Sequence, residues 1–171
     1  MSRRPVEYTR PAFPKGHFMP TIYIDADACP VKDEVYRVAR RYTMKVIVVA
    51  NANLHVPPGQ LVELVVRTGF GAADDWIAEQ AVPGDIAITA DVPLAARCVA
   101  KGALVVDPKG RLLSADNVGE ALAVRDLMQG LRDAGATTGG PAPMTAKDRS
   151  KFLSRLDEAV NAVRRAFPPP A

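Results

Sequence analysis

Three short acidic motifs carry the side chains in this sequence that are best suited to chemistry. Each lies where an apolar run gives way to a helical pattern: Asp25-Ala26-Asp27, the pair Asp74-Asp75, and Asp91. Carboxylates two residues apart in an extended chain project on the same side. Ionised together they repel each other, and a divalent cation that prefers oxygen ligands relieves that repulsion. The motifs therefore predict an Mg²⁺ or Mn²⁺ site made of these five aspartates.

Helix capping is the competing explanation for each motif taken alone. Aspartate is among the best N-cap residues, and acids in the first turn of a helix are favoured by the helix dipole. The metal site is favoured by convergence, because the carboxyl ends of parallel strands meet at the edge where open α/β sheets bind ligands. Carboxylates from several strands are also what a metal-dependent phosphodiesterase needs to activate water and stabilise a leaving oxygen.

Substrate-binding residues are predicted around the same edge. Asn51 follows the second strand and Thr89 ends the fourth, so both are expected near the carboxylates. Lys147 and Arg149 open the last helix and are candidates for contacts with phosphate, although such charges usually form a solvated face. Residues 137–141, Thr-Thr-Gly-Gly-Pro, could present backbone amides to phosphate or serve as a hinge.

Other chemistries lack the residues they require. His17 lies in a proline-rich leader and His55 in a proline-flanked loop, so neither has a partner for a serine or cysteine triad. Cys29 is predicted to be an inert thiol and Cys98 a core residue, and they are too far apart in sequence for a zinc motif. The sequence contains no GxGxxG or P-loop motif, which leaves a nucleotide cofactor unsupported.

The elements that must position the motifs form a βαβ series. Apolar β-rich runs predict five strands, and helices are predicted near Pro30, Ala73 and Pro93, from Asp116 to Ala134, and after a capping box at Thr145. Continuous apolar strands are typical of a parallel sheet covered on both faces. The fold class predicted is therefore α/β in three layers, with a mostly parallel central sheet, helices on both faces, and C-terminal helices. The predicted strands are 21–25, 46–50, 61–66, 85–90 and 103–106.

Length and composition favour one domain in a reducing compartment. The 171 residues are 48% apolar, enough for one core, with the domain expected at 21–166 between disordered ends at 1–20 and 167–171. A net charge of +3 permits nucleic-acid binding without requiring it. Two cysteines, no apolar run of membrane-spanning length and no signal peptide predict a cytoplasmic protein without membrane association. Oligomeric state is left open.

Four motifs in order give this sequence a resemblance to the YaiI/YqxD family of bacterial proteins, over about residues 21–160. They are 24–30 (Ile-Asp-Ala-Asp-Ala-Cys-Pro), Gly69-Phe70 through Asp74-Asp75, 88–95 (Ile-Thr-Ala-Asp-Val-Pro-Leu-Ala) and 138–141 (Thr-Gly-Gly-Pro). That family is in turn similar to PIN domains, which are metal-dependent nucleases. The likeness places Asp25, Asp74 or Asp75, and Asp91 at acidic positions of the PIN pattern, with Asp107 as a loose match to a late one.

The resemblance implies an Mg²⁺- or Mn²⁺-dependent phosphodiesterase acting on RNA or structured nucleic acid. In this interpretation Asp25, Asp75 and Asp91 are the principal catalytic residues and metal ligands, and Asp27 and Asp74 assist. A haloacid-dehalogenase-like phosphatase using Asp25 and Asp27 is the enzymatic alternative. The non-enzymatic alternative is an RNA-binding or regulatory module that keeps the acidic pocket for a structural metal. Salt-sensitive binding without turnover would distinguish it.

Overall fold

A parallel sheet lies at the centre of the computed structural model, which describes residues 19–136, 139 and 142–168. Within those residues the sheet has six strands in the order β3-β2-β1-β4-β5-β6. All neighbours pair in parallel except β5 and β6, which are antiparallel. The strands are β1 (Thr21–Asp25), β2 (Lys45–Ala50), β3 (Val62–Val66), β4 (Ile86–Ile88), β5 (Leu104–Val106) and β6 (Leu112–Leu113).

Helices cover both faces of the sheet, which confirms the three-layer α/β prediction. They are α1 (Lys32–Tyr42), α2 (Ala72–Gln80), α3 (Val92–Ala100), α4 (Val118–Asp133) and α5 (Ala146–Ala166), and a single 3₁₀ turn spans Ala26–Ala28. Helices α1 and α5 pack on one apolar cluster, which includes Ile22 and Ile24 of β1. Helices α2 and α3 pack on the other, which includes Tyr23. The alternation along β1 follows from the two-residue period of a strand.

The predicted boundaries hold to within about two residues, with one strand unpredicted. Strand β6 is only Leu112–Leu113, too short for an alternating pattern to reveal, and it is held by pairing with β5. Helix α4 begins at Val118 and not at Asp116, because Asn117 is used in the preceding turn. Its side chain accepts from the Ser114 N–H and donates to the Leu112 carbonyl.

The predicted capping box opens the last helix. Thr145 Oγ1 accepts from the Asp148 N–H, and the Asp148 carboxylate accepts from the Thr145 N–H, both at 3.1 Å. Apolar residues of α5 then dock on the sheet as predicted, with Phe152, Leu156 and Val160 fully buried. In the part of the chain that the structure describes, no helix is both long and apolar enough to cross a membrane. Residues 1–18, and the 137–141 loop apart from Gly139, lie outside that part.

Candidate functional site

Asp25 ends β1 at the point where the chain order of the sheet changes direction. From β1 the chain passes to β2 and β3 on one side and then to β4 and β5 on the other. Such a switch point leaves a crevice at the carboxyl ends of the strands, where α/β proteins bind ligands. Asp25 lies two residues after Tyr23 on the strand, so its side chain points to the same face, which α2 and α3 cover. Its side chain is buried, with 6% of its surface exposed.

A hydrogen-bonded chain connects the ends of β1 and β4. Thr89 is 1% exposed, and its hydroxyl donates to Asp25 Oδ2 at 2.8 Å. The same oxygen, Oγ1, accepts from the Asp91 N–H at 3.0 Å. Asp91 in turn is the N-cap of α3, since its Oδ1 accepts from the Leu94 N–H at 2.9 Å. Thr89 thus connects the carboxylate of Asp25 to the backbone of Asp91, and the Asp91 carboxylate caps α3, as the capping alternative expected.

Asp27 lies at the solvent-exposed rim of the crevice. Its carboxylate accepts from the side-chain amide of Asn51 at 2.8 Å, and the Asn51 N–H lies 3.5 Å from its other oxygen. Asn51 directly follows β2, so this contact ties the end of β2 to the turn after β1. The structure therefore brings the predicted Asn51 to the predicted Asp27.

The adjacent acids of α2 point in different directions. Asp74 is part-buried, and its carboxyl group is repelled by the charges of Asp25, Asp91 and Asp27. Asp75 is exposed, and its carboxylate forms an ion pair with Arg97 of α3 at 2.7 Å. Consecutive residues on a helix are about 100° apart, so only one of the pair can face the crevice. That residue is Asp74.

Burial and mutual repulsion raise the pKa values of two carboxyls in the crevice. The pKa of Asp74 rises to about 6, first because of burial and then because of the charges of Asp25, Asp91 and Asp27. The pKa of Asp25 is also raised, mainly by burial, although the Thr89 hydrogen bond opposes the shift. Asp25, Asp27, Asp74 and Asp91 are hereafter called the acidic crevice. Ionised together they carry repulsion that a cation would relieve.

The Asp74 shift predicts that metal-free protein loses stability as the pH rises from about 4 to about 6. The folded carboxyl keeps its proton above its usual pKa of 3.8, so this contribution is present at low pH and lost as Asp74 ionises. A two-unit shift corresponds to about 3 kcal/mol, which solvent screening of this part-exposed group reduces to about 1 kcal/mol. We expect Asp74→Asn to reduce that slope, measured by urea unfolding with a chelator between pH 4.5 and 7.5, while the raised pKa of Asp25 keeps part of it.

Asp75→Asn is the matched control for that measurement. The substitution removes the neighbouring carboxylate, which lies in solvent beside Arg97. It should change the pH slope of the unfolding free energy less than Asp74→Asn does, because Asp75 is the smallest of the charges that raise the pKa of Asp74. Equal slopes in the wild type and Asp74→Asn would show that Asp74 does not carry the crevice charge.

Two of the predicted phosphate-binding cations lie at the start of α5. Arg149 reaches back to the turn after β1, where its guanidinium donates to the Pro30 carbonyl at 2.9 Å and pairs with Glu34 at 3.0 Å. Lys147, two residues before Arg149, is exposed. A further cation that the sequence analysis passed over is Lys32, whose ammonium donates to the Cys29 carbonyl at 2.8 Å. Lys32 and Arg149 both hold the segment that follows Asp25.

The residues assigned to other roles occupy places suited to them. Cys29 and Cys98 are buried, and burial raises their thiol pKa values to about 11 and about 12, so both stay protonated at neutral pH. His55 is exposed. Asp107 closes the turn before β6, with its Oδ1 accepting from the N–H groups of Lys109 and Arg111. Hence Asp107 is engaged in backbone contacts.

Two side chains on the connection between β3 and α2 were missed from the sequence. Phe70, between Gly69 and Gly71, is fully exposed. Arg67, at the end of β3, places its guanidinium over the Trp76 ring, 5.5 Å from the ring centre. A large aromatic residue between glycines in a loop next to an acidic motif was the signal available for Phe70. Nothing local indicates the Arg67–Trp76 contact, because it joins a strand end to the interior of α2.

The oxygen-only donor set of the crevice is typical of a site for a hard cation such as Mg²⁺ or Mn²⁺. Within the described residues, no three His, Cys, Asp or Glu side chains are already grouped closely enough to hold a metal ion. Mg²⁺ usually keeps several waters and is bound through one or two carboxylates together with substrate phosphate. The side chains present fit that second kind of site.

Comparison with known proteins connects this geometry to a family. Residues 23–162 match the family described as "Uncharacterized BCR, YaiI/YqxD family". The chain belongs to the YaiI/YqxD family. Among YaiI/YqxD relatives, a UPF0178 protein of Rhodospirillum centenum is 58% identical over 149 residues, covering 84% of this chain and 97% of the relative. No solved structure matches the chain significantly.

Further YaiI/YqxD relatives match over similar spans. A UPF0178 protein of Gluconacetobacter diazotrophicus is 56% identical over 140 residues, covering 81% of this chain and 91% of the relative. One from Rhodopseudomonas palustris strain HaA2 is 53% identical over 150 residues, covering 87% and 92%. These names state neither an activity nor a ligand, so function must be inferred from the crevice.

Proposed function

We propose that this YaiI/YqxD protein is a divalent-metal-dependent phosphodiesterase that acts on RNA or structured nucleic acid. The observation that carries the proposal is the placement of carboxylates from the end of β1, the start of α3 and the first turn of α2 around one crevice at the switch point of the sheet. The principal residues are Asp25, Asp74 and Asp91, with Asp27 assisting. Asp74 replaces Asp75 among the principal residues because Asp75 is paired with Arg97 outside the crevice.

The strand order and the placement of the acids support a PIN-like arrangement. The first strand ends in Asp25, the central helix α2 contributes Asp74, and the strand reading Thr-x-Asp contributes Asp91. These are the positions that the PIN resemblance predicted. Capping does not account for all of them. Asp91 caps α3, but the side chain of Asp25 makes no capping hydrogen bond to the 3₁₀ turn that follows it. Asp74 is not an N-cap residue either, because Gly71 occupies that position in α2.

Mg²⁺ or Mn²⁺ bound at this crevice would act as a Lewis acid that polarises a phosphoryl oxygen, and it would lower the pKa of a bound water molecule. The chain's own residues prepare for that chemistry. Thr89 fixes the rotamer of Asp25, and the Leu94 N–H fixes Asp91, which reduces the reorganisation required during reaction. Asn51 holds Asp27 at the rim, where substrate would enter. Arg149 lies against the turn after β1, and the exposed Lys147 lies two residues before it in the chain, so both cations at the start of α5 are candidates for contacts with flanking phosphates.

Isothermal titration of Mn²⁺ tests whether the carboxylates of the acidic crevice bind one cation together. We expect wild-type protein to bind Mn²⁺, and Asp91→Asn to weaken binding about tenfold or more, since a neutral amide removes one negative ligand. Asparagine is as good an N-cap as aspartate, so α3 should keep its start. Asp126→Asn on exposed α4 is the control for loss of one negative charge.

The outcomes separate the candidate functions. Wild-type protein that binds no Mn²⁺, alone or with a nucleic acid present, would contradict the metal-dependent proposal. Hydrolysis of phosphomonoesters with a phosphoryl group trapped on Asp25 would replace it with the phosphatase alternative. Binding of nucleic acid without turnover at any metal concentration would replace it with the non-catalytic module.

A further inference from the structure

Phe70 is a large apolar side chain that the fold leaves in water. The other large exposed apolar residues of the described chain, Val124, Leu127, Met128 and Leu131, all lie on α4. Phe70 lies instead in the connection between β3 and α2, four residues before Asp74. Exposing a phenyl ring gives up the stabilisation that burial would provide. The exposed ring of Phe70 is therefore available for contact with a ligand.

The loop that carries Phe70 has a defined conformation. Gly69 and Gly71 adopt φ of 111° and 69°, in the region that side chains disfavour. The Ala72 N–H donates to the Gly69 carbonyl at 3.3 Å, and the Asp75 N–H donates to the Gly71 carbonyl at 2.9 Å. These bonds join the loop to the first turn of α2. The backbone thus holds Phe70 outward while the same turn directs Asp74 into the crevice.

Arg67 supplies a cation on the same connection. Its N–H donates to the Ala50 carbonyl at the end of β2, at 2.9 Å. Its guanidinium donates to the Val66 carbonyl at 3.0 Å and lies over the Trp76 ring. A guanidinium oriented in this way loses less side-chain entropy when it contacts a phosphate. Residues 67–70 therefore present a positioned cation and an exposed aromatic ring on the connection that leads into α2 and Asp74.

We infer that residues 67–70 bind an unpaired nucleotide, with its base stacked on Phe70 and its backbone phosphate beside Arg67. This inference rests on the proposed function and narrows its substrate to single-stranded segments. Every base has a flat π-face, so stacking on an aromatic ring tolerates any sequence. A nearby cation can contact the phosphates of the nucleic-acid backbone. In a duplex that face is already stacked on the next base pair. A strand held here would extend toward Asp74 and the other crevice carboxylates.

Fluorescence anisotropy with labelled oligonucleotides tests the inference. The probe is a short single strand with hydrolysis-resistant phosphorothioate linkages, in buffer containing Mg²⁺ so that the crevice charge is balanced. Phe70→Ala should weaken binding about tenfold, the size typical of losing one stacked base. Phe70→Trp should retain wild-type affinity. Leu127→Ala removes an exposed apolar side chain on α4 and should change nothing. The same sequence as a blunt duplex should bind more weakly, without dependence on Phe70.

Each result supports or overturns the inference separately from the proposed function. Equal affinity of wild type and Phe70→Ala for the single strand would overturn it, as would equal binding of duplex and single strand. Cleavage of ordinary linkages that is unaffected by Phe70→Ala would leave the nuclease proposal standing alone. Phe70-dependent binding of single strands by wild-type protein that never cleaves them would retain the binding site and overturn the nuclease proposal.

Discussion

Asp25→Asn is expected to lower metal-dependent cleavage of RNA by about a thousandfold or more, the scale of losing a group that stabilises transition-state charge in a water-poor site. Asp25 is the most buried carboxylate of the crevice, and it connects β1 to the Thr89 and Asp91 segment. The measurement is single-turnover cleavage of a labelled RNA with and without Mn²⁺. Mass spectrometry of the products would locate the broken linkage.

The same substitution should not lower the metal-free melting temperature. An asparagine carbonyl can still accept the Thr89 hydroxyl, and the pKa of Asp25 is raised by burial, so the folded state gains nothing from this charge. Loss of activity would then be separated from loss of fold. Asp126→Asn on α4 serves as the charge control and should cleave like the wild type. Full cleavage by Asp25→Asn would remove Asp25 from the catalytic role.

Gly110→Ala is expected to destabilise the protein by about 3 kcal/mol, which for a chain of this size lowers the melting temperature by about 10 °C. Gly110 has φ of +84°, and an added Cβ would lie 2.9 Å from the backbone carbonyl carbon of Lys151 and the backbone nitrogen of Phe152. Those atoms belong to α5 and cannot swing away as a side-chain tip does. The estimate combines left-handed strain with overpacking. Thermal and urea unfolding both measure it.

Gly135→Ala isolates the contribution of backbone strain. Gly135 has nearly the same φ, +85°, but its added Cβ would meet nothing within 4 Å. We expect a loss of about 1 kcal/mol, as for a non-glycine residue in the left-handed region. If the two variants lost equal stability, the close approach between the turn before β6 and α5 would not be contributing.

Much of the fold could be predicted because its signals are local. The first five strands are runs of apolar β-formers, α3 begins with a proline in its first turn, and the capping box at Thr145 opens α5. Continuous apolar strands require cover on both faces, so three layers followed from hydrophobicity alone. β6 was missed since two leucines form a strand only through their partners in β5.

The acidic residues of the crevice were identified from their places at strand and helix boundaries, but not their individual roles. Asp74 and Asp75 are equivalent in the sequence, and they differ only because α2 packs on the sheet with one face. Thr89 was expected to contact substrate, whereas its burial and two hydrogen bonds place it behind Asp25 and Asp91. Neither outcome is encoded within the spacing of a single motif.

The sequence by itself determined which segments become strands and helices, and that carboxylates cluster where strands end. It could do so because hydrophobic period and capping depend on neighbours a few residues apart. The tertiary structure alone decided that Asp74 and not Asp75 faces the crevice, that Asn51 supports Asp27, and that Arg67 lies over Trp76 while Phe70 stays exposed. Those relations depend on strand order and helix orientation, which are set by packing between residues distant in the chain.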